Sequence, residues 1–495
     1  MHCENPIIRS DYPDPDVIRV DDTYYMVTTT MHMFPGVQLL RSFDLINWEH
    51  LCYVADIIAD TPAQRLDAGK GIYGKGMWAA TLRYHQGVFH ILFVCNDTGK
   101  TYHYTASEIT GPWSCHELDE FYHDASLLFD DDGRVYVAYG NREIHITELL
   151  PDLSGPRPGG LDRIALVDEG DVRLGYEGSH LYKLNGKYWL FFIHWPNTGH
   201  GRRTQACFCA DTIDGEFRGR DIFDEDLGFH NMGIAQGGIV DTPDGDWYMV
   251  LFQDSGAVGR IPTLVPFEWK DGFPCPAEFP KTVETRSTRP QHQYKPLYSS
   301  DTLRALPLSE CWQWNHQPHN DLWSVTPDGL RITTDRTVDT VEQAVNTLTQ
   351  RAFLPVSEMD VTVDGTALNV GDYAGICALQ GCYTLLALTR REDGYALVKQ
   401  SRKSAGRDRE EQREELICAL DKPVVRLRLR LKVQDMTDCA RLYWLDNDVW
   451  REAGDGHKLV YRLDHFMGVR FALCCWSGKK AGGSALFNDC EYRIS

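Results

Sequence analysis

Nowhere in its 495 residues does the chain carry an uninterrupted apolar run of membrane-spanning length, so it holds no candidate transmembrane helix. An apolar leader is missing too. Folded-looking sequence begins at Asn5, and no membrane partner is expected. The fifteen cysteines are odd in number and scattered, with no C-x-x-C pair and no Cys–His metal spacing. Cys207, Cys209, Cys474 and Cys475 read as small buried side chains rather than a disulfide frame, which points to a reducing cytoplasm. Positive charge is in deficit: 50 Lys and Arg face 71 Asp and Glu, for a net charge of −21. That balance argues against nucleic acid as a partner. Long helical periodicity is scarce as well.

What the chain has instead is glycine and aromatic residues: 42 Gly, 23 Tyr, 13 Trp and 20 Phe, a balance that favours sheets joined by tight turns. A hairpin recurs through the first half. Its turn and second strand read "DDTYYMV" from Asp21, "QGVFHILFV" from Gln86, "DGRVYVAYG" from Asp132, "NGKYWLFFI" from Asn185 and "DGDWYMVLF" from Asp244. Five such units, about 45 to 65 residues apart, suit a five-bladed β-propeller.

The repeat also works as a ruler. Nine residues before Gly87, Gly133, Gly186 and Gly245 lie Trp78, Asp124, Glu177 and Gln236, and eight before Asp22 lies Asp14. The next residue is small or kinked each time: Ala79, Ala125, Gly178, Gly237 and Pro15. In a propeller these positions open the innermost strands, so the five should ring the channel mouth. Singly, Asp14 is a turn residue between prolines, Asp124 a strand-entry cap and Glu177 a solvated edge. Three carboxylates at equivalent positions are another matter, because like charges converging on one cavity cost stability unless function needs them. Two carboxylates flanking a scissile bond are the minimum for glycoside hydrolysis, and a third beside the acid would tune it. Acids on different blades suit the wider separation of an inverting enzyme. The competing reading is a propeller that binds sugars without cutting them, in the manner of a lectin.

The stretches "NPIIRSDYPDPDVIRVDDTYYMV", "MFPGVQLLRSFDLINW", "GMWAATLRYHQGVFHILF", "DASLLFDDDGRVYV", "YEGSHLYKLNGKYWL" and "QGGIVDTPDGDWYMVLFQDSGAVGRIP" resemble the pentosidases of glycoside hydrolase family 43. The resemblance implies a five-bladed propeller and inverting, exo-acting release of terminal α-L-arabinofuranosyl or β-D-xylosyl units. Carried over by motif, it makes Asp14 of "PDPD" the general base, Glu177 of "EGSH" the general acid and Asp124 of "HDAS" the pKa modulator. It also implies that Trp78 of "MWAA" and Phe34 of "FPGV" wall the first sugar subsite, and that Arg260 of "GAVGR" bonds sugar hydroxyls. His180 is expected to be a satisfied strand histidine rather than a brace for Glu177. The chain departs from the family at Gln236, where many relatives have a histidine that helps hold a hydrated cation. An amide is the poorer ligand, so no cofactor is expected and the case for calcium is weakened. It departs again at Met31 and Met33, where some xylosidase relatives place aromatics, and the choice between the two pentoses stays open.

Propeller signatures stop near Pro274, so residues 1–280 are assigned to the propeller and 281–298 to a linker strapped across its surface. Residues 299–495 alternate as strands should, in "GLRITT", "VVRLRLRLKV" and "FMGVRFALCCW", and are assigned to a β-sandwich. "WQWNHQP" and "NTLTQR" resemble the concanavalin-like sandwich of the xylosidase branch, which implies a pocket closed on one side and short oligosaccharide substrates. The charged run "SRKSAGRDREEQREE" reads as a solvated turn. A homo-oligomer is left open.

Overall fold

A computed structural model describes residues 1–495, and apart from three short 3-10 turns its regular structure is all strand. Five antiparallel sheets follow one another along residues 16–276. The first blade is Asp16–Val20, Thr23–Thr28, Gly36–Ser42 and Glu49–Ala55, and the second is Met77–His85, Val88–Cys95, Lys100–Ala106 and Ser114–Leu118. The third runs from Ser126–Phe129 to Asp162–Val167, and the fourth from Val172–Leu184 to Arg218–Phe223. The fifth is built on Trp247–Asp254 and Arg260–Lys270. Each hairpin foreseen from its Gly or Asp turn is the first strand pair of its blade. The strand faces alternate, and the apolar side chains of adjacent blades meet in shared clusters such as Val27, Leu39, Ile91 and Phe93. Blades one and five close the circle through Arg19, whose Nη2 lies 2.5 Å from Asp241 Oδ2.

Residues after the fifth blade run back over the first. Thr282–Glu284 pairs with His2–Glu4, and Arg289 bridges to Asp22 at 2.7 Å. The second half is a sandwich of a seven-stranded and an eight-stranded sheet around one large apolar core. One of those sheets does not end in the sandwich. Its edge strand Gln313–Asn315 pairs with Met33–Phe34 of the first blade, placing Trp314 opposite Phe34. Phe34 is therefore 0% exposed, packed among Val37, Ile72 and Met77. The expectation that it walls the sugar subsite is not met, because a partner strand some 280 residues away covers it.

Several histidines are held as neutral rings in buried or half-buried positions. Burial holds His90 and His50 down to about 4 and His103 and His316 to about 3, from the usual 6.5, and His32 also lies well below it. An unfolded chain binds protons at these positions below about pH 6.5, whereas the folded chain does not until near pH 4. Stability should therefore be intact above pH 6.5 and drain as the pH falls towards 4. Calorimetry should record a melting temperature on the order of 5–10 °C lower at pH 5 than at pH 7. Equal melting temperatures at both values would contradict the assignment of neutral buried rings.

Candidate active site

Three of the five ring positions share a backbone bend as well as a place in the repeat, and a fourth has it one residue later. Asp14, Asp124 and Gln236 take left-handed φ of 52°, 50° and 56°, and Gly178, beside Glu177, takes 63°. Non-glycine residues hold this region only where their surroundings enforce it. The enforcing bonds run between neighbouring blades: Ser179 N donates to Asp124 O, and Gly238 N donates to Pro15 O, both at 3.2 Å. Gly178 is required for space as well, since a Cβ there would lie 2.7 Å from Gln236 Cγ.

Asp14 is 5% exposed and gripped at both oxygens. Arg260 Nη1 donates to Oδ1 and Thr29 Oγ1 to Oδ2, each at 2.7 Å. Across the mouth, Glu177 Oε2 accepts a bond from Asn141 Nδ2 and lies 3.5 Å from His123 Nε2. The other nitrogen of that ring, Nδ1, lies 3.8 Å from Asp124 Oδ1. Burial pushes Asp124 up to about 7, and the nearby Glu177 and Asp14 carboxylates add to the rise against His123 and Arg260. Burial disfavours the charged form of His123, but Asp124 and Glu177 outweigh it and raise the ring to about 9. Asp124 thus keeps a proton that an isolated aspartate would lose.

The walls are aromatic. Trp78 lies edge-on to His123 at 5.7 Å and to Phe466 at 6.0 Å. Phe466 comes from the sandwich and stacks against the Arg260 guanidinium at 4.3 Å, while Phe252 faces that guanidinium at 4.7 Å. Met31 and Met33 pack with Met467 against Trp78 and Phe466. Asp11 pins the Phe466 loop to the propeller, its carboxylate accepting bonds from Arg260 N at 2.7 Å and Gly468 N at 2.8 Å. His465 is braced by Glu342 at 3.1 Å. Trp78 Nε1 and Arg260 Nε are buried and have no hydrogen-bond partner within the chain. Phe466→Ala removes one wall of the mouth and the ring that steadies Arg260, and the loss of sugar binding is expected to be about 1–2 kcal/mol. KM should rise by about 5- to 30-fold, with a smaller change in kcat. An unchanged KM in steady-state kinetics would place Phe466 outside the substrate's reach.

Behind the ring, Asp16 knits four blades together. Arg83 Nη1 donates to it at 2.8 Å and Leu82 N at 2.7 Å, while His180 Nδ1 lies 3.1 Å away. Arg83 also bonds Ser126 Oγ at 2.7 Å. Burial opposes ionisation, yet Arg83 and His180 outweigh it and bring Asp16 down to about 2. His180 is thus a strand histidine bonded to Asp16 rather than to Glu177. At the channel position Gln236 offers one neutral oxygen, and the nearby Asp16 carboxylate is already engaged by Arg83, Leu82 and His180.

The structure therefore brings Asp14, Trp78, Asp124, Glu177, Gln236 and Arg260 to one mouth and leaves Phe34 outside it. Sequence reasoning missed Thr29, His123, Asn141, Phe252 and Phe466. Of these, only His123 carried a local signal, by adjoining Asp124.

Residues 3–274 match the family described as "Glycosyl hydrolases family 43", and residues 301–493 match the "Beta xylosidase C-terminal Concanavalin A-like domain". A beta-xylosidase of Formosa agariphila is 27% identical over 369 residues, 66% of this chain and 61% of that protein. A non-reducing end alpha-L-arabinofuranosidase of Bacteroides ovatus is 27% identical over 351 residues, 66% of this chain and 64% of that protein. A solved structure described as a bifunctional GH43-CE protein of Bacteroides eggerthii superposes with a TM-score of 0.91 at 40% identity. That match covers 100% of this chain and 64% of the other. The chain spans less than two thirds of the length of each of these relatives.

Proposed function

The chain belongs to glycosyl hydrolase family 43, and from that premise we propose that it is an exo-acting, inverting hydrolase of terminal β-D-xylosyl or α-L-arabinofuranosyl units. One observation carries this reading: carboxylates from blades one, three and four converge on one mouth, each with a different environment. Asp14, aligned by Arg260 and Thr29, is the general base. It takes a proton from water as the water oxygen bonds to the anomeric carbon. Glu177, oriented by Asn141, delivers its proton to the glycosidic oxygen as that bond breaks, releasing a sugar of inverted configuration. Asp124 resists ionisation beside Glu177 and adjusts its proton affinity. Trp78, Phe466 and Arg260 hold the terminal pentose, and Gln236 lies beside the acid.

The substrates that fit are short xylose- or arabinose-bearing oligosaccharides cut from the non-reducing end, since the Phe466 loop of the sandwich closes one side of the mouth. No resident metal takes part in this mechanism. A sugar-binding propeller without turnover is disfavoured, because a lectin gains nothing from three crowded carboxylates. The test is an assay of the full chain on aryl β-D-xyloside and aryl α-L-arabinofuranoside, with the Asp14→Ala variant alongside. Turnover of either sugar that vanishes in the variant supports the reading, and the ratio of rates names the preferred pentose. Binding of both sugars without turnover would restore the lectin.

A further inference from the structure

The side chains that crowd the acid have a second chemical capacity. His123, Asp124 and Glu177 present one donor atom each, and all three atoms lie within 4.8 Å of one another. They offer one imidazole nitrogen and two carboxylate oxygens, a donor set that suits zinc or a neighbouring transition ion. At tetrahedral angles zinc places its ligands about 3.4 Å apart, given bonds of about 2.0–2.2 Å. His123 Nε2 and Glu177 Oε2 already stand at 3.5 Å. An independent feature points the same way. Asp124 is 7% exposed, yet its carboxylate accepts no hydrogen bond from the chain, and its nearest cationic partner, His123 Nδ1, is 3.8 Å away. Around the donors a supporting shell is in place. Asn141 orients Glu177, and the Trp78 and Phe121 rings flank His123 at 5.7 and 6.3 Å.

We propose that His123, Asp124 and Glu177 form a facial site for a divalent transition ion such as zinc, and that its occupancy reversibly blocks the pocket. The ion would take three protein ligands and leave its remaining position to water, facing the mouth. Glu177 engaged as a ligand has no proton to deliver, and the ion fills the space beside the leaving oxygen. Zinc would therefore inhibit in competition with substrate. Calcium would not, because it requires six to eight oxygens and this site supplies two carboxylates and a nitrogen. The binding stands on the donor geometry alone, whereas the inhibition rests on the reading of Glu177 as proton donor.

Calorimetric titration of the full chain with zinc chloride at pH 8, where fewer protons must be displaced, tests the binding. Exposed thiols at Cys115 and Cys275 will also take up zinc, so the deciding quantity is the difference between variants rather than total uptake. Among the zinc events of the wild type, one should be weakened at least about tenfold in His123→Phe and should not be reproduced by calcium chloride. Asp124→Asn should weaken the same event, which guards against a folding defect in one variant; each variant's melting curve checks that it is folded. An isotherm identical in the wild type and both variants would overturn the site. Steady-state rates on an aryl pentoside then test the consequence: the apparent inhibition constant for zinc should rise in proportion to substrate. Inhibition that substrate does not relieve would overturn the block. A chain that turns over neither pentoside would defeat the proposed function, while the calorimetric difference would still decide the zinc site.

Discussion

Asp14→Ala should lower kcat by about 10²–10⁴-fold, and by the same factor on an aryl β-D-xyloside as on an aryl α-L-arabinofuranoside. The base acts on the attacking water, not on the departing group, so neither sugar identity nor leaving-group quality should soften the loss. Its two oxygens are fixed by Arg260 and Thr29, and a water taking the place of the carboxylate would lack that alignment. Because alanine leaves Arg260 buried without its partner, Asp14→Asn serves as the companion variant and should be as inactive while melting nearer the wild type. Proton NMR of the first-formed sugar supplies the second readout. The wild type should release the inverted anomer. Recovery of the alanine variant by azide with retained configuration would make Asp14 a nucleophile and refute the mechanism.

Glu177→Ala should divide substrates that the wild type treats alike. Xylobiose, whose leaving sugar is a poor departing group, should lose about 10²–10⁴-fold in kcat/KM, while a dinitrophenyl glycoside should lose far less. The proton from Glu177 matters only when the oxygen cannot depart as an anion unaided. Parallel rate measurements on the two substrates check this, and equal losses on both would remove Glu177 from the acid role.

The sequence carried much of this architecture, and it did so through the repeat rather than through any single residue. An aspartate between two prolines says little, but an aspartate at the same distance from a hairpin turn as Asp124 and Glu177 says a great deal. Blade geometry is periodic, so residues at one offset must meet. Arg260 was reached through resemblance, and its bond to Asp14 gives that placement a physical reason. Phe34, also reached through resemblance, failed for a reason no local pattern contains: Trp314 arrives from the other half of the chain to pair with it. Phe466 was invisible for the same kind of reason, being delivered from another module on a loop that reads only as the entry to a strand. Asn141 and Thr29 are ordinary strand-end residues in sequence, and their roles exist only once blades have curled around a common axis.

The strand pairing of Met33–Phe34 with Gln313–Asn315 has a bearing on how such enzymes can be recombined. A module that merely rests on its neighbour can be exchanged by matching surfaces. Here a backbone ladder crosses the boundary, and the hairpin that enters it also carries Met31 and Met33 to the pocket wall. A foreign sandwich grafted onto this propeller would have to bring an edge strand of matching register. Without one, the graft would disturb the mouth even if every catalytic carboxylate were untouched. Lineages that trade accessory modules freely should therefore lack this ladder, and those that keep it should inherit the two halves as a pair.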